Sequence, residues 1–337
     1  MSLLRIFYSR TPKIKDSKGK LVPESITSLE KVILGGLEQS ILIRGQKRSN
    51  PILLFLHGGP GSTEMALAHV YQKNLEKKFT IVNWDQRGAG KSFKLGIPKT
   101  SMTIEQFVTD ALELVLLLKK RFNQEKIFIA GHSWGSALGI KLIHRHPEHF
   151  YAYVGIGQAV HLAEGERISY EFVLRTAREQ NNKKAIKQLE RIKEKEIWDS
   201  RYTQKQRKWL TKFRGWYYHS TSSWVLLKYY INSPEYSLLD CIKLLLGSLF
   251  SLNHMWKSLI EESSFIGRIK EVKVPVFFLA GRFDYNSPSE LVVEFYEQLE
   301  APKKELIWFE ESAHSPNYEE QEKFDRVMIE KVHLYAN

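Results

Sequence analysis

The 337-residue chain is 43% hydrophobic and 12% aromatic, without a low-complexity tract or internal repeat, which excludes a disordered chain and a solenoid. Its one cysteine, Cys241, excludes an internal disulfide, and its net charge of +12 puts a polyanion or an acidic surface among the partners to weigh. The opening "MSLLRIFYSRTPKIKDSKGK" has too short an apolar run, broken by Arg5, for a signal peptide or membrane span, so a cytoplasmic protein is expected.

In chain order, "LEKVILGGLEQSILIRG" reads as a β-hairpin turning at Gly35-Gly36. "PILLFLHGGPG" and "FTIVNWDQRGAGKS" are short apolar strands that each end in a glycine-rich turn, and a helix from about Thr63 to Lys77 is expected between them. Helical spacing of Ile104, Phe107, Val108, Ala111, Val115 and Leu118 predicts a helix, with Thr103 and Gln106 as its capping box. A strand "KIFIA", a helix over 134–146 stopped by Pro147 and a strand "YAYVGIG" follow. From about Gln158 to Ser263 no strand is legible, only polar and Trp-rich segments of helical period. Alternation resumes with "VPVFFLAGRFD", the helix "SPSELVVEFYEQLE", the strand "KELIWFEESAH" and a helix from about Glu319. The expected fold class is therefore α/β, a mostly parallel, doubly wound sheet, with residues 1–157 and 264–337 as the core domain. Residues 158–263 are expected to form an all-helical cap over the carboxyl edge of the sheet, where such sheets bind ligands.

Between Lys183 and Arg214 twelve basic residues face Glu190, Glu194, Glu196 and Asp199, a local excess of +8. No zinc-finger spacing or aromatic RNA-binding motif accompanies it, so a solvated helix face is expected and nucleic acid is not.

The chemistry concentrates at "IFIAGHSWGSALG". Gly131-His132-Ser133-Trp134-Gly135 between a strand and a helix is the pattern of a turn so tight that its flanks have no room for side chains and its serine is lifted clear of the sheet. Such a serine needs a base and a group that orients the base, in the chain order serine, acid, histidine. Asp284 in "LAGRFD" and His314 in "FEESAH" follow in that order, each at the carboxyl end of an expected strand. The oxyanion needs backbone N–H donors, expected from Trp134 and from Gly59 in "HGGPG".

These segments resemble the α/β-hydrolase superfamily, and within it the prolyl aminopeptidase (proline iminopeptidase) group. The matching residues are "HGGPG" (57–61), "WDQRGAGKS" (84–92), "GHSWGS" (131–136), "GRFD" with Pro288, and "SAHS" (312–315). The resemblance implies Ser133 as nucleophile, Asp284 as triad acid, His314 as base, and a helical cap enclosing a small site. The chain departs from the group in carrying His132 before the serine, where glycine is usual, and in lacking the Trp-Glu pair whose glutamate holds the substrate's amine. Glu164, Glu166, Glu171 and Glu235 are the cap acids available for an ammonium, with Trp224 as a candidate substrate contact.

Three further segments mimic other sites. "DQRGAGKS" misses a phosphate-binding loop because Asp85 stands at the first glycine, and Asp85 and Arg87 are expected to brace a loop instead. His144 and His146, two apart on a helix, diverge too widely to share a metal. "LLDCIKLLLGSLFSLNHMWKSLI" (238–260) is long enough to span a bilayer, but Asp240, Lys243 and Lys257 favour amphipathic helices whose apolar residues line a pocket above Ser133. The expected protein is a serine hydrolase of short peptides or aminoacyl amides, or of small carboxylic esters. It needs no metal or organic cofactor and makes no stable membrane insertion; its oligomeric state is left open.

Overall fold

The computed structural model describes residues 4–191, 199–220, 222 and 224–336. Gly35 and Gly36, at φ 51° and 73°, supply the left-handed turn that joins β1 (Ile26–Leu34) to β2 (Leu37–Gly45) as an antiparallel hairpin. β2 pairs antiparallel with β4 (Thr80–Asp85). β3 (Ile52–Leu56), β5 (Ile127–His132), β6 (Phe150–Ile156), β7 (Val276–Gly281) and β8 (Lys304–Phe309) extend the sheet in parallel, in the order β1-β2-β4-β3-β5-β6-β7-β8.

Alternate strand residues build two cores. Leu54, Leu56, Ile127, Ile129 and Phe278 face one side, under the helices Ile104–Phe122, Trp134–Arg145 and Ser289–Gln298. Leu53, Phe55, Phe128, Ala130, Phe277 and Leu279 face the other, under the C-terminal residues Phe324 to Val332. Both faces are dry, so these strands read as continuous apolar runs, each buried large side chain contributing about 1.5–3 kcal/mol.

Two local expectations are corrected. Thr103 does cap its helix by accepting the Gln106 N–H at 3.2 Å, but Gln106 does not reciprocate; its amide donates to Asp110 Oδ1 at 2.8 Å. The segment from Thr63 to Lys77 is broken into Met65–Leu67, Ala68–Tyr71 and Leu75–Lys77. Thr63 and Glu64 are drawn into buried contacts with Asp85 and His132, and these polar anchors override the helical period.

Between β6 and β7 the described residues form the helices Leu162–Glu179, Lys183–Leu189, Ser200–Lys212, Trp224–Asn232 and Leu238–Glu262, and no strand. The two ends of this stretch are tied at a neck where Leu162 N–H donates to Ser263 O and Phe265 N–H to Val160 O, each at 2.9 Å. Residues 192–198 of the basic stretch lie outside the described residues.

Asp85 and Arg87 brace loops rather than bind phosphate. Asp85 Oδ2 accepts the Lys91 N–H at 2.8 Å, and the carboxylate also accepts from Thr63 and Tyr236. Arg87 forks onto Asp110 at 2.8 and 2.9 Å and donates to Gly35 O at 2.9 Å, tying the site loop to the hairpin turn. Both members of that pair are fully buried. Asp110→Ala is therefore predicted to leave a guanidinium buried without its counter-charge and to cost about 3–5 kcal/mol in urea unfolding; a loss under about 1 kcal/mol would contradict this account of the pair.

Candidate active site

Strand β5 ends at His132 and the next helix starts at Trp134, so Ser133 alone turns the chain, at φ 54° and ψ −120°. A residue with a side chain pays on the order of 1–3 kcal/mol to hold such a conformation. The fold holds it through the Ser133 N–H, which donates to Ile156 O at 2.9 Å, and the Ser133 carbonyl, which accepts from Ser136 N–H at 2.8 Å. Glycine is required on both sides. A Cβ on Gly131 would stand 2.3 Å from Gly135 O, and one on Gly135 would stand 2.1 Å from Leu56 O. Ser133 remains partly exposed at the carboxyl edge, on the central strand between β3 and β6.

Asp284 and His314 occupy the turns after β7 and β8, a few residues beyond the strand ends at Gly281 and Phe309. The structure joins them: His314 Nδ1 lies 2.9 Å from Asp284 Oδ2, with both side chains buried. Asp284 Oδ1 accepts the N–H groups of Asn286 and Ser287 at 2.8 and 2.9 Å, so the carboxylate is fixed. A carboxylate facing Nδ1 requires the proton there and leaves Nε2 with its lone pair, the form a general base needs. Burial, the largest influence, pushes the His314 imidazole below its ordinary range; Asp284 opposes that, and the charges of His132 and Arg207 add to it. No hydrogen bond joins the Ser133 hydroxyl to His314. In unliganded hydrolytic sites that contact is commonly long and tightens on substrate.

The glycine-rich loop after β3 runs against the serine, and a Cβ on Gly58 would lie 3.2 Å from that of Ser133. Outside helices and strands, neither Gly59 nor Trp134 gives its N–H to another described backbone group. Gln86 locks this region together. Its backbone N–H donates to His57 Nε2 at 3.1 Å, its side-chain amide donates to His57 O at 3.0 Å, and its Oε1 accepts from Trp134 Nε1 at 2.9 Å.

The acids expected to hold an ammonium are all engaged. Glu164 and Glu171 both pair with Arg167 at the surface, and Glu166 is buried against Arg207. Glu235 is buried with Ser233 and Thr11, 3.9 Å from Arg44. Trp224 opens its helix, but its side chain lies outside the described residues. Among the described residues no cluster of three or more His, Cys, Asp or Glu could hold a metal ion.

Two residues that pattern reading misses, Glu64 and Tyr318, complete the site around His132. His132 Nδ1 faces Glu64 Oε1 at 2.6 Å and its Nε2 faces the backbone carbonyl of His314 at 2.9 Å. With Glu64 ionised both partners accept, an arrangement that places a proton on each ring nitrogen and favours His132 as an imidazolium. Burial alone would discharge both groups, yet the mutual attraction prevails: His132 is raised and Glu64 lowered from their ordinary values. Glu64 is further held by Tyr318 Oη at 2.5 Å and Gly58 N–H at 3.2 Å. The residue beside the serine thus grips the backbone of the histidine, with the two rings 5.0 Å apart. Nothing local marks Glu64 in the sequence; the histidine before the serine was its one visible sign.

A mostly parallel sheet with a strand-turn-helix serine, a buried His–Asp pair and a glycine-rich loop on its carboxyl edge defines the α/β-hydrolase class. The chain belongs to the alpha/beta hydrolase fold family, whose profile matches residues 51–321, and within it to the prolyl aminopeptidase-like group. It is similar to the probable aminopeptidase YbaC of Bacillus subtilis (strain 168), 34% identical over 308 residues that cover 90% of this chain and 96% of that protein. The proline iminopeptidase of Heyndrickxia coagulans is 25% identical over 81% of this chain and 87% of its own. Among solved structures, the proline iminopeptidase of Mycobacterium smegmatis superposes with a TM-score of 0.60 at 18% identity, over 91% of this chain and 98% of that one, a likeness of fold. The protein is a hydrolase.

Removing the cation beside His314 tests the electrostatics. In the variant His132→Asn the imidazole is easier to protonate, so the acid limb of the kcat/KM profile on an aryl ester moves to higher pH. Loosened positioning lowers kcat/KM at neutral pH by about 10²-fold. An acid limb that stays in place would contradict the assignment of His132 as a cation.

Proposed function

We propose that this hydrolase works through an acyl-enzyme on Ser133. His314 Nε2 takes the hydroxyl proton as Oγ attacks the substrate carbonyl carbon, and Asp284 orients and stabilises the imidazolium that forms. The N–H groups of Trp134 and Gly59 receive the negative charge that develops on the carbonyl oxygen. As the carbon–nitrogen or carbon–oxygen bond breaks, His314 hands its proton to the leaving amine or alcohol. Water, deprotonated by the same imidazole, then attacks the ester and restores Ser133. The single observation that carries this reading is the 2.9 Å contact between buried His314 and Asp284, with the His314 ring 5.0 Å from that of His132, the residue before the strained Ser133 turn.

The substrate class that the relatives favour is a short peptide or aminoacyl amide cleaved after its N-terminal residue. A second reading has one observation in its favour. Glu164, Glu166 and Glu171 are each paired with an arginine and Glu64 with an imidazolium, so none stands as a free carboxylate for an ammonium. That arrangement suits a small carboxylic ester with no free amine.

Pro-β-naphthylamide, its N-acetylated form and p-nitrophenyl acetate separate the two. The aminopeptidase reading predicts that acetylation slows arylamide cleavage by at least about 10²-fold, the loss expected when a buried charged partner goes unpaired. Similar rates on both arylamides, with faster ester hydrolysis, would establish the second reading. Ser133→Ala is predicted to lower every one of these activities by on the order of 10⁴-fold or more.

A further inference from the structure

The long helix Leu238–Glu262 is built with two unlike faces. Its N-terminus is fixed by a capping box between Ser237 and Asp240. Its inner face is small where it meets the site loops. A Cβ added to Gly61 would lie 2.9 Å from Ser248 Cα and from Ser251 Cβ, and Ser251 Oγ donates to Gly88 O at 3.2 Å. Further along, Met255, Trp256, Leu259 and Ile260 enter the core.

The outer face is aliphatic and open. Leu239, Ile242, Leu245, Leu246 and Leu249 are 39%, 53%, 63%, 48% and 50% exposed, so they line no pocket above Ser133. Their spacing of three and four residues places them on one stripe. Leu95 is 89% exposed on the loop that follows Phe93, whose side chain packs beside Gly247. By length and composition the helix qualifies as a membrane span, yet only 22% of its most apolar window is buried. A span is ruled out by the opposite face, which is committed to the protein. A helix half seated on protein with a row of protruding aliphatics has the form of an interfacial anchor.

The charges around the stripe select its partner. Among the described residues neither Arg5 nor Lys94 has a carboxylate in salt-bridge contact, and Lys243 shares Asp240 with Lys91. Glu38, already bonded to Lys31, is an acid that also feels Lys94 and Lys243. A two-fold pairing of this face with itself would gather two sets of these cations into one interface. An anionic surface would neutralise them, and the chain as a whole carries +12.

We propose that the outer face of helix Leu238–Glu262, with Leu95, docks this protein peripherally on an anionic lipid bilayer. The aliphatic stripe enters the boundary between headgroups and acyl chains while Arg5, Lys94 and Lys243 lie against the lipid phosphates. The proposal is independent of the reaction assigned to Ser133.

Sedimentation of the full chain with phosphatidylcholine vesicles, with and without phosphatidylglycerol, tests it. Binding is expected on the phosphatidylglycerol vesicles, weaker by at least about tenfold on phosphatidylcholine alone, and weakened again by high salt. Leu245→Glu/Leu249→Glu should lower that binding by about tenfold or more while ester turnover and thermal midpoint stay near wild type, because both side chains are exposed. Lys94→Glu should weaken binding and flatten its salt dependence. The proposal is overturned if the wild type fails to bind phosphatidylglycerol vesicles, or if the Leu245→Glu/Leu249→Glu variant binds as well as wild type. It is equally overturned if the chain instead forms a concentration-dependent dimer that the same variant dissolves.

Discussion

A single strained residue organises the site. Ser133 sits at φ 54° and ψ −120° because the chain must leave a central parallel strand and enter a helix within one residue. That geometry is possible only where Gly131 and Gly135 let backbone approach backbone, and only because β3 and β6 flank the turn and hold it. The conformation costs free energy locally and is stabilised by the dry sheet on which it stands. Everything else at the carboxyl edge is arranged around the position that this turn gives to one hydroxyl.

The neighbouring charges form an ordered sequence rather than a scatter. Glu64 balances His132, His132 holds the His314 carbonyl, and Asp284 holds the His314 ring from the other side. The imidazole that matters is therefore fixed through both its backbone and its Nδ1, and it is biased toward the neutral state by burial and by the cation beside it. Trp216 adds a third hold from the helical segment: its carbonyl accepts the His314 N–H at 3.0 Å, and its ring meets the imidazole edge-on. Motion of that segment would be felt directly at His314.

The sheet was legible because its strands are buried on both faces and its turns carry glycine. "PILLFLHGGPG" and "KIFIAGHSWG" announce both strand and strand end. The triad candidates were legible because the elbow has a rigid local grammar and because Asp284 and His314 follow strands in the required order. What failed was local periodicity near polar anchors. Thr63 and Glu64 follow buried partners far away in sequence, so the expected helix breaks. Glu64 and Tyr318 were invisible for the same reason, since 254 residues separate two groups that share one hydrogen bond. The helix Leu238–Glu262 has the right composition for a pocket lining, but its orientation was set by small residues, Gly247 and Ser251, rather than by its leucines.

All of this chemistry requires that the hydroxyl on this elbow be the group that attacks. Covalent labelling with a fluorophosphonate, followed by intact mass and peptide mapping, reads this out. One adduct per chain, on Ser133, is expected. Labelling should slow steeply in His314→Ala and vanish in Ser133→Ala. An unlabelled wild-type protein that still hydrolyses its substrates, or an adduct on another residue that survives Ser133→Ala, would contradict the account.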